Sequence, residues 1–103
     1  MELKLKCTKE VEDRKLEIYD LGRYTVKVVR YADGWSYTTI ERERAEYLPE
    51  IYSRTDMEGK VLGFEIQTTS YGSLPVEEIK KMIAGLNEAI EVVETLNKEF
   101  AKA

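Results

Sequence analysis

The stretch "YTVKVVRYADGWSYTTIE", residues 24–41, contains two runs of β-branched and aromatic residues separated by Asp33-Gly34. Such residues favour β-strands, and an Asp-Gly pair accepts the positive φ angles of a tight reversal. In the first run Val26 and Val28 are two residues apart, so both point to the same face of a strand. The stretch therefore predicts a β-hairpin, from which the arrangement of the other strands can be worked out.

Two segments with the same character precede this hairpin. "LKLKC" at 3–7 and "KLEIY" at 15–19 alternate apolar and polar residues, which is typical of half-buried strands. One face of the first strand is expected to carry Leu3, Leu5 and Cys7. The polar residues between the two segments, 8–14, predict a connection longer than a two-residue turn.

The segments after the hairpin are less uniform. Residues 41–48, "ERERAEYL", suit a short helix by propensity or a strand that continues to about Arg44, and we favour the strand. "EIYSR" at 50–54 and "VLGFEIQTT" at 61–69 flank a polar turn, so they predict a further hairpin. Gly63 predicts a bulge or the close approach of another backbone. The buried face of this last strand is expected to carry Leu62, Phe64 and Ile66.

From Pro75 onward the apolar residues recur at spacings of three and four, which predicts an amphipathic helix over 74–101. Either Ser73 or Leu74 is expected to cap its first turn. The apolar stripe consists of Ile79, Met82, Ile83, Leu86, Ala89, Ile90, Val93, Leu96 and Phe100.

Together these elements predict an α+β fold. We expect an antiparallel β-meander of five or six strands with one long carboxy-terminal α-helix packed on one face. At 103 residues the chain suits a single domain, 1–103, with the sheet in 1–70 and the helix in 74–101.

Composition excludes several classes of function. The chain has no histidine and one cysteine, which removes histidine-based catalysis, most zinc sites and an internal disulfide. We therefore expect no catalytic site, no metal and no cofactor. Sixteen basic residues against 20 acidic ones make a nucleic-acid partner unfavourable. No apolar run could span a membrane and no secretory leader is evident, so we expect a cytoplasmic protein with no membrane partner.

Several polar groups have a structural explanation that we prefer to a functional one. Cys7 is expected to be a buried packing residue rather than a nucleophile. Asp56 and Glu58 are expected to form a turn rather than a calcium loop. Residues 67–75 are expected to connect strand and helix rather than to hold an anion. Carboxylates that could form acid–base pairs are expected to be ion-paired at the surface: Glu41, Glu43, Glu46 and Glu50.

Seven tyrosines are the one unusual feature of the composition. One helix covers only one face of a sheet, so several tyrosines must lie on the other, which is either a contact surface or ordinary solvated sheet. Our candidates for contact with a protein partner are Tyr31, Trp35 and Tyr37, with Trp35 packed across from Tyr31 or a near neighbour. The alternative is a single-stranded nucleic-acid-binding module in which these rings stack on bases, with Lys27 and Arg30 nearby.

Helix length raises the question of assembly. The helix would be about 40 Å long, whereas a strand of six or seven residues spans about 20–23 Å. Apolar residues near its end would then lack sheet beneath them, and a second copy could cover them. We predict a homodimer with candidate contacts at Val93, Leu96 and Phe100. The alternative is a monomer in which the first strands curl under the helix or its last turns fray.

Two segments carry a resemblance to other proteins. "YTVKVVRYADGWSYTTIERE" at 24–43 and "TTSYGSLPVEEIKKMIAGLNEAIEVVETL" at 68–96 resemble small uncharacterised accessory proteins of phages and integrative elements of low-GC Gram-positive bacteria. Those proteins are similar in being short acidic chains with a meander of strands followed by one helix. The resemblance implies an accessory or host-interaction role in a mobile genetic element. It implies no functional residues.

Overall fold

The computed structural model describes residues 2–45, 47–58, 60–68 and 71–100. Six strands precede one helix: β1 (Lys4–Val11), β2 (Arg14–Leu21), β3 (Tyr24–Tyr31), β4 (Ser36–Arg42), β5 (Ile51–Thr55), β6 (Val61–Ile66) and α1 (Val76–Glu99). The α+β fold with an antiparallel meander and one long helix is confirmed.

The six strands are divided between two sheets. β1 to β4 form a four-stranded antiparallel sheet in chain order, and β5 pairs with β6 in a second sheet. The connection between the sheets contains Tyr47, whose φ of 61° turns the chain out of the ladder. Between β4 and β5, a side-chain hydrogen bond takes the place of backbone pairing. The Ser53 hydroxyl donates to the Thr38 carbonyl over 2.8 Å. β4 ends at Arg42, two residues before the expected Arg44, and the described residues that follow, 43–45 and 47–48, are not helical.

The β3–β4 hairpin has the predicted tight turn. Gly34 has a φ of +95°, and its N–H donates to the carbonyl of Tyr31 over 3.0 Å. The Asp33 carboxylate accepts from the N–H of Trp35 at 2.9 Å. Asp and Gly therefore have separate roles, because one closes the loop with its side chain and the other supplies the positive φ.

The β1–β2 hairpin differs from the prediction. Both strands extend into the polar segment, and the turn is only Glu12-Asp13, with Glu12 at a φ of 46°. A bulge between Leu5 and Cys7 also shifts the register. Because a bulge adds one residue to one strand, it moves Cys7 to the face opposite Leu5. Cys7 is half-buried there, and the expectation that it shares an apolar face with Leu3 and Leu5 is wrong.

The core lies between one face of the four-stranded sheet, the second sheet and the helix. We call the sheet face that turns toward the helix the inner face and the opposite one the outer face. As predicted, Val26 and Val28 are buried on the inner face, with exposed fractions of 0% and 2%. The remaining core residues are Leu21, Tyr24, Leu48, Ile51, Val61, Phe64, Ala89, Val92 and Leu96.

A second bulge changes the buried face of β6. The register shifts between the pairs Arg54–Gly63 and Thr55–Val61, which leaves Leu62 as the extra residue. The buried residues are therefore Val61 and Phe64, three apart, and Leu62 is 47% exposed. A bulge is present in this strand, at Leu62 rather than at Gly63, and the expected burial of Leu62 is wrong.

The helix contacts the core mainly through its second half. Its buried residues are Gly85, Ala89, Val92 and Leu96. Gly85 allows the close approach, because a Cβ there would overlap the carbonyl oxygen of Tyr47. Pro75 occupies the cap position with no side-chain hydrogen bond, so neither Ser73 nor Leu74 caps the helix. The predicted apolar stripe is only partly buried, since Ala89 and Leu96 lie in the core while Ile79, Ile83 and Ile90 are exposed.

The carboxy-terminal end of the helix, which was expected to lack cover, is covered. Leu96 is 0% exposed, and Val93 and Phe100 pack against the core. The ring of Phe100 meets the ring of Tyr19 edge-on with centroids 5.7 Å apart. The three residues predicted to contact a second copy are covered within one chain, because β2 and β6 extend beneath this end of the helix.

Candidate functional site

The outer face of the four-stranded sheet has no element of the described chain packed on it. The strand register places four rows of side chains on it: Val11, Arg14 and Tyr31; Lys9, Leu16, Val29 and Tyr37; Cys7, Ile18, Lys27 and Thr39; Lys4, Asp20, Thr25 and Glu41. The β3–β4 hairpin thus supplies its aromatic residues and the β1–β2 hairpin supplies most of its cations.

Tyr31, Trp35 and Tyr37 form one aromatic cluster on the outer face. Trp35 lies 5.6 Å from Tyr31 and 5.5 Å from Tyr37, and the two tyrosine centroids are 6.2 Å apart. The turn brings Trp35 back beside Tyr31, while Tyr37 lies diagonally across the ladder from it. The expected packing of Trp35 across from Tyr31 is confirmed. Trp35 is 41% exposed, and the two tyrosines are half-buried.

A groove of about 370 Å³ begins at Tyr37 and crosses the four strands. Its floor is Val29, which is only 7% exposed although it faces away from the helix. Val29 is covered by its neighbours on the ladder, Leu16 and Tyr37. The rest of the lining is Lys9, Val11, Arg14, Lys27, Thr39 and Glu41. The groove combines an apolar floor with a charged rim.

The charge on the outer face is opposite in sign to that of the whole chain. Four of its residues are basic and two are acidic, although the chain carries −4: Lys4, Lys9, Arg14 and Lys27 against Asp20 and Glu41. Lys27 is paired, with Nζ 2.9 Å from Glu41 Oε1. Within the described parts of the chain, Lys9 and Arg14 have no ion-pair partner. Two cations at the groove are therefore free to meet an external anion.

Arg30 does not belong to this face. Its Nε donates to Glu17 Oε1 over 2.6 Å on the inner face. That bond, together with one from the Tyr19 hydroxyl, holds the pKa of Glu17 below its usual range. Burial and the bond to Glu17 raise the pKa of Tyr19. Of the two cations expected beside the rings, only Lys27 lies on their side of the sheet.

Sequence reasoning missed the basic half of the groove. Lys9, Val11 and Arg14 were expected in a connection, and they became part of two strands instead. The signal that could have found them is the two-residue spacing of Cys7, Lys9 and Val11, which places all three on one face of a strand that runs on past residue 7.

Two of the other candidate carboxylates, Asp56 and Glu50, make structural contacts. Asp56 accepts from the N–H groups of Glu58 and Lys60, each over 2.9 Å, and so closes the β5–β6 turn. Glu50 lies 3.6 Å from Arg42 and accepts from the hydroxyl of Tyr52, which lowers the pKa of Glu50. Glu46 lies outside the described residues. Among those described, no three His, Cys, Asp or Glu side chains are grouped so that they could hold a metal ion.

Comparison with models of protein families, with curated proteins and with solved structures finds no match to this chain. Within residues 2–45, 47–58, 60–68 and 71–100, no helix is both long enough and apolar enough to cross a membrane. The functional argument therefore rests on the outer face itself.

Proposed function

We propose that this protein is a non-catalytic binding or accessory protein that holds a protein partner on the outer face, at the aromatic cluster and the groove beside it. The observation that carries the proposal is the packing of three aromatic rings on an uncovered sheet face. Tyrosine and tryptophan are enriched among the residues that dominate binding energy at protein interfaces. They are rigid, and their mutual packing means that little side-chain entropy is lost on binding.

The partner's chemistry follows from the groove. Its floor at Val29 and Leu16 accepts an apolar anchor, and the unpaired Lys9 and Arg14 favour carboxylates around that anchor. An acidic segment with an aliphatic or aromatic side chain fits both features. Such rim charges mainly speed association and select the partner, so binding should weaken as salt is raised. A role in a mobile genetic element stays a prediction.

The experiment is quantitative capture from the native host under low salt, with wild-type, Trp35→Ala and Tyr37→Ala proteins as baits. Tyr52→Ala is the matched control, because Tyr52 is 53% exposed on the second sheet and does not belong to the cluster. We expect a partner that the control retains and that both cluster variants hold about 30-fold more weakly, the effect of a typical interface hot spot. Circular dichroism must show all four proteins folded.

A capture profile identical in all four proteins would contradict the proposal. Loss of folding in Tyr37→Ala alone would assign Tyr37 to the core and leave Trp35→Ala as the deciding variant. The charge of the groove is tested separately by reversing Lys9 and Arg14 to Glu, with Lys60→Glu as an exposed control in the β5–β6 turn. The double variant should lose the salt dependence of binding that the control keeps.

Single-stranded nucleic acid is the alternative occupant. Stacking requires ring faces open to bases, but these three rings lie 36–50° from one another and cover part of each other's faces. Arg30 is also held on the inner face by Glu17. Fluorescence anisotropy with labelled oligonucleotides separates the two functions. Salt-dependent binding that is lost in Trp35→Ala would replace the protein partner by nucleic acid.

A further inference from the structure

β1 forms an open edge of the four-stranded sheet. It pairs with β2 on one side, and no strand of the described chain pairs with its other side. Seven of its eight residues are exposed, and only Cys7 is half-buried. An uncovered edge presents a row of unpaired N–H and C=O groups, so β1 offers its backbone to another strand.

Other strand edges are covered by side chains of the same chain. β4 lies beside β5, and the carbonyl of Thr38 accepts from the hydroxyl of Ser53 over 2.8 Å. The outward N–H of Phe64 in β6 donates to Asn97 Oδ1 of the helix over 2.9 Å. Within the described residues, no side chain bonds to the edge of β1 in this way.

The outward backbone groups of β1 belong to Thr8 and Glu10. Val11 and Arg14 flank the two-residue turn of the β1–β2 hairpin, and residues in that position exchange their N–H···O bonds. The carbonyl of Asp13 bonds toward β3, as the alternation of β2 requires. Because direction alternates along a strand, Glu10 and Thr8 point away from β2, toward solvent.

The charge of β1 indicates which strand suits this edge. Lys4, Lys6 and Lys9 stand against a single acidic residue, Glu10, in a chain that carries −4. None of the three lysines has an ion-pair partner in the described parts of the chain. Lysines on an edge discourage pairing with neutral or basic strands, and a second copy of β1 would bring the same lysines to the seam. An acidic strand supplies the missing counter-charges instead.

The two faces of β1 define the sequence pattern of such a strand. Lys4 and Lys9 lie on the outer face, whereas Leu5 and Glu10 lie on the inner face. Residues that lie opposite each other on neighbouring strands share a face. Carboxylates are therefore favourable on the outer face and unfavourable beside Glu10. An apolar side chain on the inner face would cover Leu5, which is 55% exposed.

We propose that β1 is a strand-addition site, at which an extended partner segment of alternating acidic and apolar residues pairs as a fifth strand of the sheet. Its backbone bonds to Thr8 and Glu10, and its carboxylates lie beside Lys4 and Lys9. In this mode main-chain bonds give affinity and alternate side chains give specificity. The aromatic cluster belongs to the β3–β4 hairpin, so the inference goes beyond the proposed function, and either can fail without the other.

The probe is a labelled synthetic peptide, as long as β1, that alternates glutamate and valine, and fluorescence anisotropy measures its binding. Thr8→Pro removes an outward N–H without breaking a bond to β2, so the variant should stay folded. It should bind the peptide at least about tenfold more weakly. Thr8→Ala is the matched control, because it removes the same hydroxyl but keeps the N–H. Trp35→Ala should also bind as the wild type does, which separates this site from the aromatic cluster.

Two further comparisons separate strand pairing from simple attraction of charges. The same peptide methylated at two adjacent central amides cannot form a ladder on either of its edges, and it should not bind. Lys9→Glu should weaken binding of the unmodified peptide about tenfold and reduce its salt dependence. Lys60→Glu, an exposed change in the β5–β6 turn, should do neither.

The absence of saturable binding up to about 1 mM peptide overturns the proposal. Undiminished binding by folded Thr8→Pro, or by the methylated peptide, also overturns it. If Thr8→Pro does not fold, the methylated peptide decides. Light scattering checks the remaining occupant: a wild-type mass of twice 12.0 kDa that falls to 12.0 kDa in Thr8→Pro would assign this edge to a second copy and overturn the acidic partner.

Discussion

Glu88 accepts hydrogen bonds from both the side chain and the main chain of Arg23, although 65 residues separate the two. Arg23 Nε lies 2.9 Å from Glu88 Oε1, and the backbone nitrogen of Arg23 lies 3.2 Å from Oε2. One carboxylate therefore joins the middle of the helix to the turn between β2 and β3. The bond from Glu88 raises the pKa of the Arg23 guanidinium, which keeps the charged form favoured.

Glu88→Gln should lower the free energy of unfolding by about 1 kcal/mol, because glutamine keeps only one acceptor oxygen, which is uncharged, and its amide NH2 cannot accept the second bond. The value is modest since Arg23 is 39% exposed and water screens the pair. Urea unfolding of the variant measures the change. Glu91→Gln removes the same charge from an exposed position on the same helix and should have no effect. Equal midpoints for the two variants would show that the contact contributes nothing.

Gly85→Ala should destabilise the protein by about 1–3 kcal/mol, even though alanine is the better helix former. The added Cβ would overlap the Tyr47 carbonyl oxygen and lie 3.0 Å from its carbon. Both are backbone atoms, so relief requires movement of the chain or of the helix. Thermal unfolding of Gly85→Ala and of the exposed Asn87→Ala gives the comparison. A higher melting temperature for Gly85→Ala would mean that the 47–48 segment moves away easily.

Gly34→Val should cost about 1 kcal/mol or more, because a β-branched residue resists the φ of +95° at this turn. Open space around the position excludes a clash as the cause, since a Cβ at residue 34 would meet no atom within 4 Å beyond its two chain neighbours. Asn tolerates positive φ, so Gly34→Asn should recover part of the loss. The melting temperatures of the three proteins measure this order, and equal values for Val and Asn would point to a cause other than backbone strain.

Tyr24 should make stability fall in alkali. Burial raises the pKa of Tyr24 to about 12 from its ordinary value of 10.0, and its hydroxyl donates to the Pro49 carbonyl over 2.5 Å. A raised folded-state pKa means that this contribution is complete below pH 10 and is lost as pH rises toward 12. The loss amounts to about 2–3 kcal/mol.

Urea unfolding of wild-type and Tyr24→Phe proteins between pH 9 and pH 12 isolates this effect, because the other tyrosines are common to both. The difference in unfolding free energy between the two proteins should be constant near pH 9 and should shift in favour of Tyr24→Phe above pH 10. A difference that stays constant up to pH 12 would contradict the raised pKa.

The β3–β4 hairpin and its three rings could be predicted because everything that defines them is local. Asp33 and Gly34 specify the turn, and a tight turn fixes which residues lie across from each other. The helix could be predicted for the same reason, because the spacing of its apolar residues is visible within one continuous segment of the sequence. Neither inference needed knowledge of the partner that each element packs against.

The faces of the outer strands could not be predicted, because bulges change the period without a signal in the sequence. Lys6 and Leu62 are each an extra residue in a strand whose neighbour is regular. Which face the following residues occupy is therefore decided by the register with the neighbouring strand. The turn at Glu12 contains no glycine, and its positive φ arises from the strands on either side. Without that turn, Lys9 and Arg14 could not be placed at the groove.

The side of the helix that is buried could not be predicted from the sequence either. The helix carries two rows of apolar residues, and hydrophobicity alone does not show which row is buried in the core. The row containing Ala89 and Val92 is buried because Gly85 lets the backbone at Tyr47 approach. A glycine contributes nothing to an apolar pattern, yet its lack of a side chain determines how the helix is rotated.

The order of the strands has a consequence for how the chain folds. Each strand of the four-stranded sheet pairs with its neighbour in sequence, so this sheet can form hairpin by hairpin from contacts that close short loops. The helix follows all the strands in the chain, and its bonds reach back 33 residues from Asn97 to Phe64 and 65 from Glu88 to Arg23. During synthesis the inner face around Tyr24 and Val26 therefore lacks the helix's part of the core until the helix leaves the ribosome. We expect nascent chains to be most prone to aggregation in that interval, and the docking of the helix to be the step that ends it.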